Sequence, residues 1–368
     1  MDGGGVVRAA VLNAVGDDKL EIRDDVMLIP PAAGEVRVRV RAAGVCHSDL
    51  SARDGALPQP VPAVLGHEAS GDVVEVGDGV TELAPGDRVI VNWLPACGSC
   101  SSCVRGEPYL CMAHVMLGYV QPRFLAGETP VFGMAGCGVF AEEVVVPQQG
   151  AVKIADDVPY EVAALVGCGV MTGVGAVVNT AGVRPGEKVV IIGCGGVGIA
   201  AIQGARLSGA SVIVAVDTAT EKHEVAKRFG ATHAVTPNEL SDLSTQVTGG
   251  EGFDWAFDVV AIPQTLRSAW VSIRRGGAVV VVGAGRADHH VEFSPFELLF
   301  EGKRIMPSLY GSADVRRDYG RLLDLWRAGR LDLSGMISHR LRLDQIDEAL
   351  ASLGRGDVIR QVILHDGA

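Results

Sequence analysis

Along residues 6–147, apolar and polar positions alternate in short runs, the period of strands with one face buried. Runs at 35–41, 71–76, 88–91 and 140–146 are separated by turn signals such as Pro30-Pro31, Gly77-Asp78-Gly79 and Pro85-Gly86-Asp87. They predict a compact, barrel-like β domain whose loops can carry a site. Residues 112–138 are irregular and rich in Gly and Pro, which predicts a surface or site-covering loop. The pattern changes at residue 188. An apolar run at 189–192 leads into Gly193-x-Gly195-x-x-Gly198, helical spacing follows at Ile199, Ile202, Ala205 and Leu207, and a second apolar run at 212–216 closes on Asp217. Alternation continues with a helix at 221–229, a strand at 253–260, a helix at 265–273 and a continuous β-branched strand at 278–283. A strand at 304–309, a helix at 319–328 and a closing strand at 360–364 complete the chain. The fold class is α/β: a doubly wound parallel sheet inserted between two parts of a mostly β domain.

The strand–turn–helix–strand unit at 188–217 has the chemistry of a dinucleotide site. Gly193 permits the tight turn, Gly195 lets backbone approach a pyrophosphate, and Gly198 lets helix pack on strand. Phosphates would rest on the unpaired N–H groups at the helix start, where Gly196 and Val197 stand. Asp217 occupies the position that receives a ribose 2′-hydroxyl. Thr218, Ala219 and Thr220 offer no positive charge to a 2′-phosphate, so NAD is expected rather than NADP. Lys222 either lies near the adenosine ribose or is a solvated helix lysine.

Two groups of residues point to metal. Cys97, Cys100, Cys103 and Cys111 suit a tetrahedral all-thiolate zinc, with disulfides or an iron–sulfur cluster as the alternatives. Gly44-Val-Cys46-His47-Ser48-Asp49 and Gly66-His67-Glu68 offer zinc-ligand types on two short loops, although a buried free cysteine and a hydrogen-bonded histidine would read the same way. Cys168 lies directly before the dinucleotide unit, where a cleft between domains is expected.

Composition narrows the class. The 368 residues suggest two domains, and 48% hydrophobic against 21% charged residues predicts a packed core. A net charge of −12 argues against nucleic-acid binding. No apolar run reaches the roughly 18 residues of a membrane span, and no signal peptide is visible at the N-terminus. Eight cysteines in such a chain point to metal before disulfides and to a reducing, cytoplasmic setting.

From residue 6 to 364 the chain resembles the zinc-dependent medium-chain alcohol dehydrogenases. The motifs are GVCHSDL (44–50), GHEASG (66–71), the four-cysteine lobe at about 95–113, GCGVMTGVGA (167–176), GCGGVG (193–198) and VIRQVIL (358–364). The nearest subgroup holds thiol-dependent formaldehyde dehydrogenases, which use mycothiol or glutathione, and bacterial aryl and primary alcohol dehydrogenases. The resemblance implies a GroES-like catalytic domain at 1–172, a Rossmann NAD-binding domain at 173–310 and a C-terminal return to the catalytic domain at 311–368. It implies two zincs per chain. Cys46, His67 and Cys168 would ligate the catalytic one, with Glu68 behind it as a transient ligand, and the four clustered cysteines the structural one. Asp49 would accept a hydrogen bond from His67, and Ser48 would contact substrate and start a proton relay. His47 and Arg360 would bind the NAD pyrophosphate, and Lys222 the adenosine side. Trp93, Met116 and Phe140 would line the substrate pocket, with Leu117 nearby; for Trp93 a plain core role is the alternative. Ser51 stands where some relatives carry a relay histidine. Cys137 and Cys194 read as packing residues.

The expected function is therefore NAD-dependent interconversion of primary, aryl or extended apolar alcohols with aldehydes. The alternatives are a thiol-dependent formaldehyde dehydrogenase, a specialised biosynthetic carbonyl reductase, and a non-catalytic NAD-binding protein. The apolar strand at 304–309 is a candidate edge for pairing into a homodimer, or a tetramer built from dimers.

Overall fold

The computed structural model describes residues 5–365, which divide into two compact units. Of the described residues, the first comprises 5–168, 314–329 and 333–365; the second comprises 169–313 and 330–332.

The first unit is built on β structure. A closed barrel joins Val6–Leu12, Glu21–Leu28, Phe124–Ala126, Thr129–Gly133 and Ala63–Val64. A seven-stranded sheet runs in the order Ala151–Lys153, Arg88–Val91, Ala69–Val76, Glu35–Val45, Arg360–Leu364, Ile337–Leu341, and Glu143–Pro147 pairs with Glu35–Val45. Glu35–Val45 shows why the alternation reads as it does. Val36, Val38 and Val40 point into the core and are buried, while Arg37, Arg39 and Arg41 point outward to Glu143 and Asp72. The core gathers Phe124, Phe140, Leu65, Val131 and Leu28.

The segment 112–138 corrects the sequence expectation of an irregular loop. Phe124–Ala126 and Thr129–Gly133 pair antiparallel across a turn at Gly127, whose φ is +62°, and complete the barrel. Phe124 and Val131 are fully buried, so the hairpin is held by the core although its strands are short. The membrane expectation also needs correction. The helical run Tyr160–Ala181 has 22 residues and a mean hydropathy of 1.8, long and apolar enough to span, but 89% of its apolar window is buried inside the protein. It contains π-helical turns at Val166–Val170 and Ala176–Ala181, and the boundary between units falls within it, after Cys168.

The second unit is a six-stranded sheet in the order His233–Val235, Val212–Val216, Lys188–Ile192, Phe253–Asp258, Ile273–Val281, Arg304–Pro307. Every neighbouring pair is parallel. This is a doubly wound order, with its topological switch beside Lys188–Ile192, the strand that leads into Gly193. Arg304–Pro307 is an edge strand.

Candidate metal and cofactor sites

The first cluster begins where Glu35–Val45 ends. Cys46 caps the short helix His47–Arg53, and its extended backbone (φ −119°, ψ 156°) turns the chain there. Asp49, in the first turn, is completely buried, and burial raises its carboxyl above the ordinary value against the opposing pull of His67 and the Cys46 N–H. Its Oδ2 accepts from the Cys46 N–H at 2.8 Å, and its Oδ1 lies 2.9 Å from His67 Nδ1. Since an ionised carboxylate can only accept, Nδ1 carries the proton and Nε2 is left free to bind a metal. Donor atoms of Cys46, His67 and Cys168 lie within 4.8 Å of one another, and all three residues are buried.

The ionisation of this group follows from its isolation. Burial disfavours a charged His67, but the Asp49 carboxylate and the Cys46 sulfur outweigh it and hold the imidazole well above its ordinary value. The hydrogen bond from Cys168 draws the Cys46 thiol well down. Cys168, as the donor, is correspondingly raised.

Glu68 is fully buried behind the cluster, and desolvation pushes its carboxyl up to about 7 against the pull of Arg360. Its Oε2 is ion-paired with the Arg360 guanidinium, while its Oε1 is buried and has no hydrogen-bond partner among the described residues. Arg360, only 4% exposed, thus spends its charge on Glu68, a pairing the sequence reading did not foresee. Gly44 makes room for it: a Cβ there would stand 2.6 Å from the Glu68 carboxyl carbon.

Ser48 Oγ lies 3.8 Å from Cys46 Sγ and is partly exposed, and His47 is exposed. Trp93 meets the His67 ring edge-on, with centroids 6.1 Å apart. Phe140 is fully buried in the barrel core, close beneath Gly66, where it supports the loop that carries His67. Met116 is 51% exposed and Leu117 40% exposed, on the 3-10 turn Met116–Tyr119.

The second cluster is Cys97, Cys100, Cys103 and Cys111, again with donor atoms within 4.8 Å of one another. Backbone N–H groups aim at the sulfurs: Cys100 N–H at Cys97 Sγ and Cys97 N–H at Cys111 Sγ, both 3.3 Å. Hydrogen bonds from the backbone of Ser99 and Cys100 lower Cys97 to about 6, the behaviour of a thiolate-ready site. Burial raises Cys103 to about 12. All eight cysteines are free thiols, which removes the disulfide alternative.

In the second unit the Gly-rich turn has the expected shape. Gly193 takes φ +101°, and a Cβ on Gly198 would stand 1.8 Å from the Gly193 carbonyl oxygen. A Cβ on Gly195 would meet nothing within 4 Å, so that face of the turn is open to an approaching group. Gly196 and Val197 begin the helix Gly196–Leu207. Asp217 has a structural part of its own: its two oxygens accept from the N–H groups of Cys194 and Ala219, at 2.7 and 2.9 Å. It thereby locks the Gly-rich loop to the end of Val212–Val216. Lys222 Nζ lies 3.9 Å from Asp217.

Residues 32–156 match the alcohol dehydrogenase GroES-like domain, and residues 196–327 match the zinc-binding dehydrogenase domain. S-(hydroxymethyl)glutathione dehydrogenase of Paracoccus denitrificans is 35% identical, over 97% of this chain and 99% of its own. The chain belongs to the zinc-dependent alcohol dehydrogenases. Among solved structures, an alcohol dehydrogenase zinc-binding domain protein from Burkholderia ambifaria superposes with a TM-score of 0.92 at 32% identity, covering 98% of this chain and 99% of that one. Benzyl alcohol dehydrogenase from Acinetobacter calcoaceticus gives 0.89 at 31% identity, covering 97% and 99%.

For a zinc-dependent alcohol dehydrogenase, both clusters have suitable donors. Two thiolates and one neutral imidazole balance a divalent ion, with a position left over, whereas four thiolates close the other site. In the first, Asp49 fixes the imidazole tautomer from behind. Asp49→Asn leaves an amide that can accept from Cys46 or His67 through one oxygen only. The substitution is expected to weaken zinc at Cys46, His67 and Cys168 by about 10–100-fold while the four-cysteine cluster keeps its metal. Chelator competition followed by metal analysis checks this, and equal loss from both clusters would contradict it.

Proposed function

We propose that this dehydrogenase interconverts primary alcohols, aryl or extended apolar ones, with their aldehydes, using NAD and a zinc held by Cys46, His67 and Cys168. The observation that carries the reading is that donor set with the Ser48 hydroxyl 3.8 Å from Cys46 Sγ. When bound, zinc supplies Lewis acidity toward the alcohol oxygen, and NAD supplies the hydride acceptor. The four clustered cysteines would hold a second, structural zinc.

The chain's own residues do the positioning and the proton transfer. Ser48 Oγ accepts the proton of the substrate hydroxyl and, being partly exposed, passes it outward. With Ser51 rather than a histidine beyond it, the relay ends in water. Asp49 keeps His67 in one tautomer and ring orientation. Arg360 neutralises Glu68, so that this buried carboxylate adds no uncompensated charge behind the ligands. Trp93 gives an aromatic wall edge-on to His67, which suits a flat or apolar substituent on the alcohol carbon. The open backbone at Gly195 with the helix start at Gly196 and Val197 is the candidate pyrophosphate contact within the second unit. Asp217, with no basic residue among Thr218, Ala219 and Thr220, favours NAD over NADP.

A second reading is favoured by the 35% identity to S-(hydroxymethyl)glutathione dehydrogenase: the substrate would be the adduct of formaldehyde with a low-molecular-weight thiol. NADH formation over benzyl alcohol, hexanol, and formaldehyde with and without added thiol separates the two. Turnover of the free alcohols is expected; activity confined to formaldehyde plus thiol would replace the first reading by the second.

We further propose a homodimer joined through the second unit. Phe296, Leu299 and Phe300, on the helix Pro295–Glu301, are 68%, 75% and 56% exposed, and Ile305 lies in the edge strand Arg304–Pro307. Such a patch beside the open outer edge of a sheet is costly in water and can be met by a second copy under two-fold symmetry. Light scattering is expected to give a dimer or a multiple of it, and a monomer at micromolar concentration would contradict the proposal.

A further inference from the structure

Cys168 reaches the first cluster from a helix, and the local geometry of that helix is unusual. Residues Val166–Val170 form a π-helical turn, in which each hydrogen bond spans one residue more than in an α-helix. The inserted residue rotates the side chains around it and disturbs the regular pairing of carbonyls. Gly167, next to Cys168, directs its carbonyl oxygen to the hydroxyl of Tyr319, which donates to it at 3.3 Å. Tyr319 lies on the helix Val315–Arg327, in the same unit as Cys168, and is fully buried. Packing alone would be met there by Phe. A buried phenol must find a partner for its hydroxyl, and Gly167 is one.

The other face of the turn is held by contact. A Cβ on Gly167 would stand 3.2 Å from the Val91 carbonyl oxygen and 3.6 Å from the Ala69 nitrogen. The helix backbone therefore lies directly on the strands Arg88–Val91 and Ala69–Val76, the latter starting right after His67 and Glu68. Contact with the strands sets how close Cys168 comes. It does not set how the turn is wound. Relaxation of the π turn to an α turn would rotate neighbouring side chains by up to about 100°, one residue's share of a helical turn, and carry the thiol away from Cys46 and His67.

We propose that Tyr319 is a positioning residue for the catalytic zinc: its hydroxyl holds the Gly167 carbonyl in the π turn and so fixes the direction of Cys168. The proposal rests on the reading of Cys168 as a zinc ligand, and the test separates the two. Full-length, zinc-loaded wild type, Tyr319→Phe and Cys168→Ser are challenged with a chelator, and metal release is followed by a colorimetric indicator. Cobalt exchange assigns each phase, because a two-sulfur, one-nitrogen site and a four-sulfur site differ in their absorption.

Tyr319→Phe is expected to speed release from the Cys46–His67–Cys168 site about tenfold, in the range of lost support to a ligand, with release from the four-cysteine site unchanged. Cys168→Ser is expected to abolish the first phase. Wild-type release from Tyr319→Phe, or equal acceleration at both sites as from general loosening, would overturn the positioning role while leaving the ligand reading intact. Wild-type release from Cys168→Ser would overturn the ligand reading and the proposal with it.

Discussion

The buried carboxylate of Asp49 has no solvent to stabilise it, so its charge must be met entirely by neighbours. It is met by the Cys46 N–H on one oxygen and by His67 Nδ1 on the other. Those two bonds connect the helix cap that carries one metal ligand to the loop that carries another. They also decide which imidazole nitrogen remains for a metal. Much of the first unit serves to keep this arrangement in place. Phe140 supports the His67 loop from the barrel core, Gly44 admits the Glu68 carboxylate, and Arg360 arrives from a strand near the end of the chain to pair with it.

The two cysteine clusters solve different problems with one side chain. At Cys97, Cys100, Cys103 and Cys111 the sulfurs receive backbone N–H groups from their own loop, so the lobe encodes its metal site locally. At Cys46, His67 and Cys168 the ligands come from three separate stretches, each needing tertiary support. The first design suits a permanent staple for a segment with little core. The second leaves a position open for chemistry and depends on distant contacts for its geometry.

Local signals were legible in the sequence where one stretch carries the whole requirement. The alternation over Val36, Val38 and Val40, the GCGGVG turn and the cysteine spacing all announce their structures. The hairpin of Phe124–Ala126 and Thr129–Gly133 was missed because strands this short show too little period against their Gly- and Pro-rich surroundings. The helix Pro295–Glu301 was missed although Ser294 and Glu297 form a capping box, a signal that was available. Ile346–Arg355 was missed likewise, with buried Ile346, Ala349, Leu350 and Leu353 at helical spacing. Other features leave no local trace. The Glu68–Arg360 pair joins residues 292 positions apart, and no pattern in Val-Gly-Cys-Gly-Val marks a π turn. The resemblance supplied the ligand set and the Asp49 bond that orients His67; it did not supply the Glu68–Arg360 pair or the π turn that carries Cys168.

The measurement that tests this account most directly is a crystal structure of the zinc-loaded protein at a resolution that separates the two imidazole nitrogens of His67. The account predicts a metal on Cys46 Sγ, Cys168 Sγ and His67 Nε2, with Nδ1 still on Asp49 and Glu68 still on Arg360. Zinc on Nδ1, or zinc bound with Asp49 released from His67, would contradict it.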